Sequence, residues 1–256
     1  MSAIVCGIHA VRLALKSGQV RRVWFDRRRH DRRIDELRTL AQKKGAAVSE
    51  ADPRELDRLA EGVRHQGTVA EVEGVAPRTE NQFEAWLAEA VNPLILVLDG
   101  IGDPRNLGAC LRAADGAGVD AVVLPRRRTA GLTPAARKTA AGAAEALPIF
   151  TVTNLARALD AMGEAGITRV GAAVDPAAVP PWEADLGGPL ALVLGAEEAG
   201  LRRLTREKLD AIVALPMAGT VESLNVAVAC GILLYETRRQ RNEARGVRHR
   251  TPGKLV

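Results

Sequence analysis

Aromatic residues make up only 3% of this 256-residue chain: three Trp, one Tyr and three Phe. A core must therefore be built from Ala, Val, Leu and Ile. So few aromatics among the basic residues (Trp24 and Phe25 are the exceptions) argue against a platform that stacks single-stranded bases. Cysteine is scarce too. Cys6, Cys110 and Cys230 are scattered and lack metal-ligand spacing, which points to a reducing cytoplasm. The four histidines, His9, His30, His65 and His249, are far apart in sequence, so no zinc or iron site is expected. No apolar run reaches the ~18 residues of a membrane span. His9, Arg12 and Lys16 interrupt the first apolar stretch, which does not read as a secretory signal.

What is present is an ordinary soluble composition, 47% hydrophobic and 26% charged, with room for one large domain or two smaller ones. The net charge of +5 is unevenly spread. Residues 21–44 carry ten Lys/Arg against Asp26, Asp31, Asp35 and Glu36, and residues 238–256 carry seven against Glu243. Arg126, Arg127 and Arg128 form a third basic cluster, so the rest of the chain is net acidic. Basic patches on an acidic body suggest a polyanion footprint, with folded RNA or a duplex backbone the better fit.

The first 75 residues read as a small α/β unit. Helical periodicity covers 7–16 and 31–44, Asp52-Pro53 opens a helix to 61, and short strands fall at 20–25, 46–48 and 68–75. Residues 76–82 are polar and contain proline, as a linker does. Beyond them six apolar runs, at 94–98, 121–124, 147–152, 169–174, 190–194 and 211–215, alternate with helical segments at 106–117, 133–145, 154–166 and 205–208. A long helix follows over 223–241. That alternation predicts a parallel sheet covered on both faces, with ligands at the carboxyl ends of its strands.

Three strand-end turns carry the chemistry. The first runs Leu98-Asp99-Gly100-Ile101-Gly102-Asp103-Pro104-Arg105-Asn106-Leu107-Gly108 and nearly spells a dinucleotide fingerprint. A third glycine would fall at 105, which is arginine, and Pro104 stiffens the turn, so a nicotinamide-type cofactor is disfavoured. Asn106 stands where a helix N-cap belongs. Gly108, one turn before Arg112, would clear space beneath the arginine, and Asp115 lies within pairing reach of it. The second turn, Gly195-Ala196-Glu197-Glu198-Ala199-Gly200, ends a strand in glycine and carboxylate. Gly195 would admit a ligand to the backbone, and Glu197 would accept hydrogen bonds from a substrate or from Arg112. The third, Leu215-Pro216-Met217-Ala218-Gly219, leads to Ser223-Leu224-Asn225, with Ser223 the natural N-cap of the last helix.

Together N-L-G-x-x-x-R, G-A-E-x-x-G and P-M-x-G-x-x-x-S-L-N-V-A-V-A resemble the SpoU/TrmH branch of the SPOUT 2′-O-ribose RNA methyltransferases, and most closely those that methylate a guanosine of 23S rRNA. Gly7-Ile8-His9-Ala10-Val11 and His65-Gln66-Gly67 resemble the accessory domain of the same enzymes. The resemblance implies a C-terminal parallel-sheet α/β domain with a trefoil knot, over residues 93–244. It also implies an N-terminal RNA-binding domain of ribosomal-protein-like fold over 1–75, a linker and connecting helix over 76–92, and a disordered basic tail over 245–256. It implies S-adenosylmethionine held at Gly195, Leu215, Met217, Ala218 and Leu224, without a metal. It assigns Asn106, Arg112, Glu197, Ser223 and Asn225 as catalytic. It implies a cytoplasmic homodimer joined through the C-terminal domain and acting on 23S rRNA, with no membrane role. A guanidinium keeps its proton in proteins. Arg112 therefore reads as a stabiliser of a forming alkoxide, oriented by Glu197 or a phosphate, rather than as a base. Glu222, beside Ser223, departs from the small or polar residue common in relatives. A tRNA or other rRNA ribose methyltransferase, or a non-catalytic ribosome-assembly protein, are the alternatives.

Overall fold

The computed structural model describes residues 2–18, 20–60, 62–73, 76–197, 200–244 and 246. Two sheets organise it. The first has the order β1-β4-β2-β3, from β1 (Ser2–Cys6), β2 (Val20–Asp26), β3 (Ala47–Ala51) and β4 (Thr68–Glu73). In it β4 runs antiparallel to both β1 and β2, while β2 and β3 are parallel. Helices α1 (Ile8–Ser17), α2 (Arg32–Lys43) and α3 (Pro53–Leu59) complete this unit. Asp31 starts α2 by accepting from the N–H groups of Arg33 and Ile34. Its hydrogen bond from Arg29 holds its carboxyl below the ordinary value. Ile34, Leu37 and Ala41 form the buried face of α2, leaving Arg32 and Arg33 exposed. Strand β1 carries no turn signal before it, and periodicity alone does not reveal it; its pairing with β4 makes it a strand.

The second sheet has six parallel strands in the order β10-β8-β9-β5-β6-β7. They are β5 (Leu94–Asp99), β6 (Ala121–Pro125), β7 (Ile149–Val152), β8 (Thr168–Ala172), β9 (Leu190–Gly195) and β10 (Ala211–Val213). The central strands β5 and β9 are buried at every residue, which is why they read as unbroken apolar runs. Leu94, Leu96 and Leu98 pack on one face against α5 (Pro104–Ala117) and α10 (Val226–Ala244). Ile95 and Val97 pack on the other, against α4 (Glu80–Glu89) and α8 (Leu155–Glu164). Phe83 and Trp86 of α4 close on Phe150, with ring centroids 5.3 and 5.7 Å from it, so three of the few aromatics sit in one cluster.

The segment 76–82, expected as a linker, is partly structured. Arg78 extends the edge of β7, donating to the Ile149 carbonyl at 2.7 Å and accepting from Thr151 N–H at 2.9 Å. Thr79 and Gln82 then form the capping box of α4. The helix expected over 133–145 is broken into α6 (Pro134–Ala140) and α7 (Ala143–Ala146) by Ala141 and Gly142, which have φ of 54° and 103°. A buried ion pair spans the break, Arg137 Nη1 to Glu145 Oε1 at 2.6 Å. Burial pushes the Glu145 carboxyl up, and Arg137 pulls against it. At Gly142 a Cβ would lie 2.5 Å from Cδ1 of Leu13 on α1, so this bend seats the N-terminal unit on the larger one. The basic tail lies outside the described residues apart from Gly246, and no described helix is long and apolar enough to cross a membrane.

Gly108 serves a different purpose from the one its spacing suggests. A Cβ there would lie 2.3 Å from the Ala136 carbonyl oxygen and 2.7 Å from Thr139 Cβ. The missing side chain admits α6 against α5 and makes no room for Arg112. Gly108→Ala should lower the unfolding free energy in urea by about 1–3 kcal/mol. Gly102→Ala, whose Cβ would meet open space, should stay within about 0.5 kcal/mol of the parent.

Candidate active site

The carboxyl ends of the parallel strands meet along one edge of the larger sheet. Strand β5 ends in Asp99, a carboxylate only 1% exposed. The Arg202 guanidinium pairs with it, and the Arg202 backbone N–H donates to it at 3.1 Å. Sequence reading overlooked this clamp, although a carboxylate closing an apolar strand signals that a partner must exist. Asp103 caps α5 by accepting from Arg105 N–H at 2.7 Å, and Pro104 takes the first helical position. Asn106 is therefore not the cap. It lies in the first turn, with its side chain free for other work.

Beyond β9 the chain doubles back. Ala196 and Gly200 exchange backbone hydrogen bonds at 2.9 and 3.1 Å. A Cβ on Gly195 would stand 2.2 Å from the Gly200 carbonyl carbon. The space a side chain at 195 would take is thus filled by the chain's own backbone. Glu198 and Ala199 of this turn lie outside the described residues. The turn carries Glu197 to the start of α5, where Asn106 Nδ2 donates to its Oε1 at 2.8 Å.

Asn225 completes the arrangement. Its Nδ2 donates to the same Glu197 oxygen at 2.6 Å and to Asn106 Oδ1 at 3.1 Å. Its Oδ1 accepts from Ala227 N–H at 3.0 Å, so Asn225, not Ser223, caps α10, which starts at Val226. A carboxylate offers only acceptors, so both amides must turn their NH₂ groups toward Glu197. One asparagine fills two roles because its side chain both donates and accepts. Three residues far apart in sequence thus form one polar cluster at the ends of β5 and β9.

Ser223 and Arg112 stand outside that cluster. Ser223 and Glu222 line a cleft of about 130 Å³ at the ends of β8 and β10, whose walls include Ala172, Val213, Leu215, Met217, Leu224 and Leu233. Gly195 and Ala218 do not line it. Arg112 is exposed on α5 and has no ion pair or hydrogen bond among the described residues. Neither expected partner, Asp115 or Glu197, engages it; Glu197 Oε1 instead accepts from the two amides. A separate hollow of about 740 Å³ lies on the N-terminal unit, with Arg12, Arg29, Arg32, Arg33 and Arg64 on its walls. The basic stretch 21–44 supplies three of these arginines.

A family model described as SpoU rRNA Methylase family matches residues 93–235, and one described as RNA 2'-O ribose methyltransferase substrate binding matches 4–78. The chain belongs to the SpoU rRNA methylase family. Curated SpoU relatives include the 23S rRNA (guanosine-2'-O-)-methyltransferase RlmB of Pseudomonas putida. It is 47% identical over 94% of this chain and 98% of its own. That of Pseudomonas aeruginosa is 48% identical over 93% and 96%. Among solved SpoU structures, AviRb from Streptomyces viridochromogenes superposes with a TM-score of 0.79 at 25% identity, covering 95% of this chain and 91% of AviRb. Its complex with AdoMet gives a TM-score of 0.78 at 25% identity, covering 94% and 91%.

The hydrogen bonds rank the cluster's members. Asn225→Ala removes a helix cap as well as the Glu197 bond and should cost about 1–3 kcal/mol of unfolding free energy. Asn106→Ala should cost about 0.5–1.5 kcal/mol. Equal losses in urea titrations would show that the cap bond contributes nothing.

Proposed function

We propose that this chain transfers a methyl group from S-adenosylmethionine to the ribose 2′-hydroxyl of a guanosine in 23S rRNA. The observation that carries the reading is the Asn106–Glu197–Asn225 cluster beside an apolar cleft. The close similarity to RlmB enzymes along almost the whole chain supports it. The cleft suits the cofactor chemically. Its walls are aliphatic, and the irregular stretch 214–225 around it offers backbone groups not committed to helix or strand. Leu215, Met217 and Leu224 would hold the cofactor from the cleft, with Gly195 and Ala218 flanking it. When bound, S-adenosylmethionine supplies a methyl group on a sulfonium that leaves without acid assistance.

The chain's own groups then position and polarise. Asn106 and Asn225, fixed by Glu197, hold the ribose and the loop before α10, and Ser223 faces the cofactor. Alignment of this kind supplies up to about 7–11 kcal/mol of barrier reduction. The 2′-oxygen gains the methyl as its proton passes to solvent, and Arg112 stabilises the negative charge that develops there. The arginine-walled hollow of the N-terminal unit binds the RNA backbone. The compartment is the cytoplasm, which suits three buried cysteines that form no disulfide.

The enzyme works as a homodimer. Val228, Ile232 and Tyr235, 51%, 44% and 58% exposed, form an apolar stripe along α10 that a second copy covers. Helix α5 lies beside it, with Gly116 against Tyr235, and Arg112 is one turn from Gly116. An arginine without an ion pair among the described residues of its own chain thereby reaches the site of the other copy.

Incubation with labelled S-adenosylmethionine and 23S rRNA lacking the modification should place label on one guanosine ribose. Label appearing only in tRNA would replace the substrate, and no transfer at all would end the reading. Arg112→Lys should lower turnover at saturating substrates by about 100-fold or more. Ile232→Glu should yield monomers by light scattering and lose methyl transfer with them. A fully active monomer would overturn the shared site.

A further inference from the structure

The basic cluster Arg126-Arg127-Arg128 has no part in the chemistry above, yet it sits on the same edge of the sheet. It leaves the carboxyl end of β6 and opens a cleft of about 680 Å³. Arg128, Asn154, Ala156, Arg202, Arg203 and Thr205 are among its walls, and no carboxylate among the described residues lines it. Arg203 follows the Arg202 clamp at the start of α9 (Arg203–Arg206), and Asn154 caps α8. Arg126, Arg127 and Arg128 are exposed and make no ion pair among the described residues, whereas Arg203 is paired with Glu207.

The arginine turn is held at both ends. Arg126 N–H donates to the Val152 carbonyl at 2.8 Å, and Ala130 N–H donates to that of Ile101 at 2.6 Å. Thr129 Oγ1 donates to the same Ile101 carbonyl at 3.2 Å. Arg128 itself has φ of 59°, a left-handed conformation that few non-glycine residues adopt. Ile101 lies two residues before Asp103, which caps the helix bearing Asn106. The turn is therefore anchored to the loop that positions the polar cluster. Along the sheet edge the order is the apolar cleft over β10 and β8, the polar cluster over β9 and β5, then the arginine cleft over β5, β6 and β7. From β8 to β6 is three strand spacings, about 14 Å.

We infer that this cleft binds backbone phosphates of the rRNA strand flanking the methylated nucleotide. The inference rests on the methyltransferase reading and extends it. Arg128 and Arg203 contact phosphate, while Arg202 keeps its clamp on Asp99. Guanidinium groups suit phosphate oxygens, and no aromatic residue among the described ones lines the cleft to stack a base. The strand thus leaves the ribose site across a rigid cationic shelf that fixes its direction.

The test measures retention of a 23S rRNA transcript by the full chain over a range of KCl concentrations. Arg128→Asn, chosen because asparagine tolerates positive φ, and Arg203→Gln should each weaken binding about five- to tenfold at 150 mM. Each should also flatten the slope of log affinity against log salt by about 0.7–0.9. Glu207→Gln frees Arg203 and should strengthen binding about twofold, a gain that a purely structural role would not produce. Unchanged affinities, or weaker binding at an unchanged slope, would overturn the inference while leaving the methyltransferase reading intact. Failure of the unaltered chain to retain the transcript would instead bring down the rRNA reading and this inference with it.

Discussion

The Asp99–Arg202 pair is the constraint on which the candidate site depends. A carboxylate sealed at the end of a central strand is unfavourable unless an opposite charge meets it, and removing one member of such a pair costs more than the pair itself contributes. The arginine that meets it comes from the loop after the neighbouring strand. The exit of β5, which becomes the helix of Asn106 and Arg112, is thereby fixed to the exit of β9, which bears Glu197. Asn106 and Glu197 come within hydrogen-bond distance because their loops are already joined below them.

Close backbone approach supports the same edge. Gly195 lets the chain fold back on itself immediately after β9, and Gly108 lets α6 press against the helix that carries Asn106. Both positions sit beside the loops and helix that carry the polar cluster. The polar cluster is largely exposed, so each of its hydrogen bonds contributes only about 0.5–1.5 kcal/mol, and the packed glycines and the Asp99–Arg202 pair beneath it add to its order. Arginine is divided in a similar way. Arg137, Arg169 and Arg202 are tied to carboxylates and hold the fold, whereas Arg112 and Arg128 make no ion pair among the described residues.

Much of this was legible in the residues. The parallel sheet shows itself because its central strands are buried on both faces and so lose the alternation of half-exposed strands. Asn106, Glu197 and Asn225 were identifiable as polar groups at strand ends. Their mutual bonding was not, because it is set by loops whose course depends on Gly195 and Arg202 rather than on local propensity. The same limit explains the caps. Asp103 and Asn225 hold those positions while Asn106 and Ser223 fit them equally well by type, and only tertiary context separates the candidates. The break at Ala141 escaped detection because alanine favours helix, and the buried Arg137–Glu145 pair and the N-terminal unit hold it in a left-handed turn. The spacing of Gly108 before Arg112 suggested a partnership within one helix, but the neighbour that matters there is a carbonyl of another helix.

Gly142 and Leu13 have an implication for substrate choice. The bend at Gly142 leaves no room for even one methyl group beside Leu13, so the arginine hollow on the N-terminal unit is seated at a set distance and angle from the methyl-transfer edge. In the proposed reaction such a chain acts as a gauge of three-dimensional separation. An RNA qualifies when the element gripped by the hollow and the target ribose already lie that far apart in space, whatever their separation in sequence. Methylation would then follow the folding of that region of the ribosomal RNA, and the modification would record that the fold had been reached.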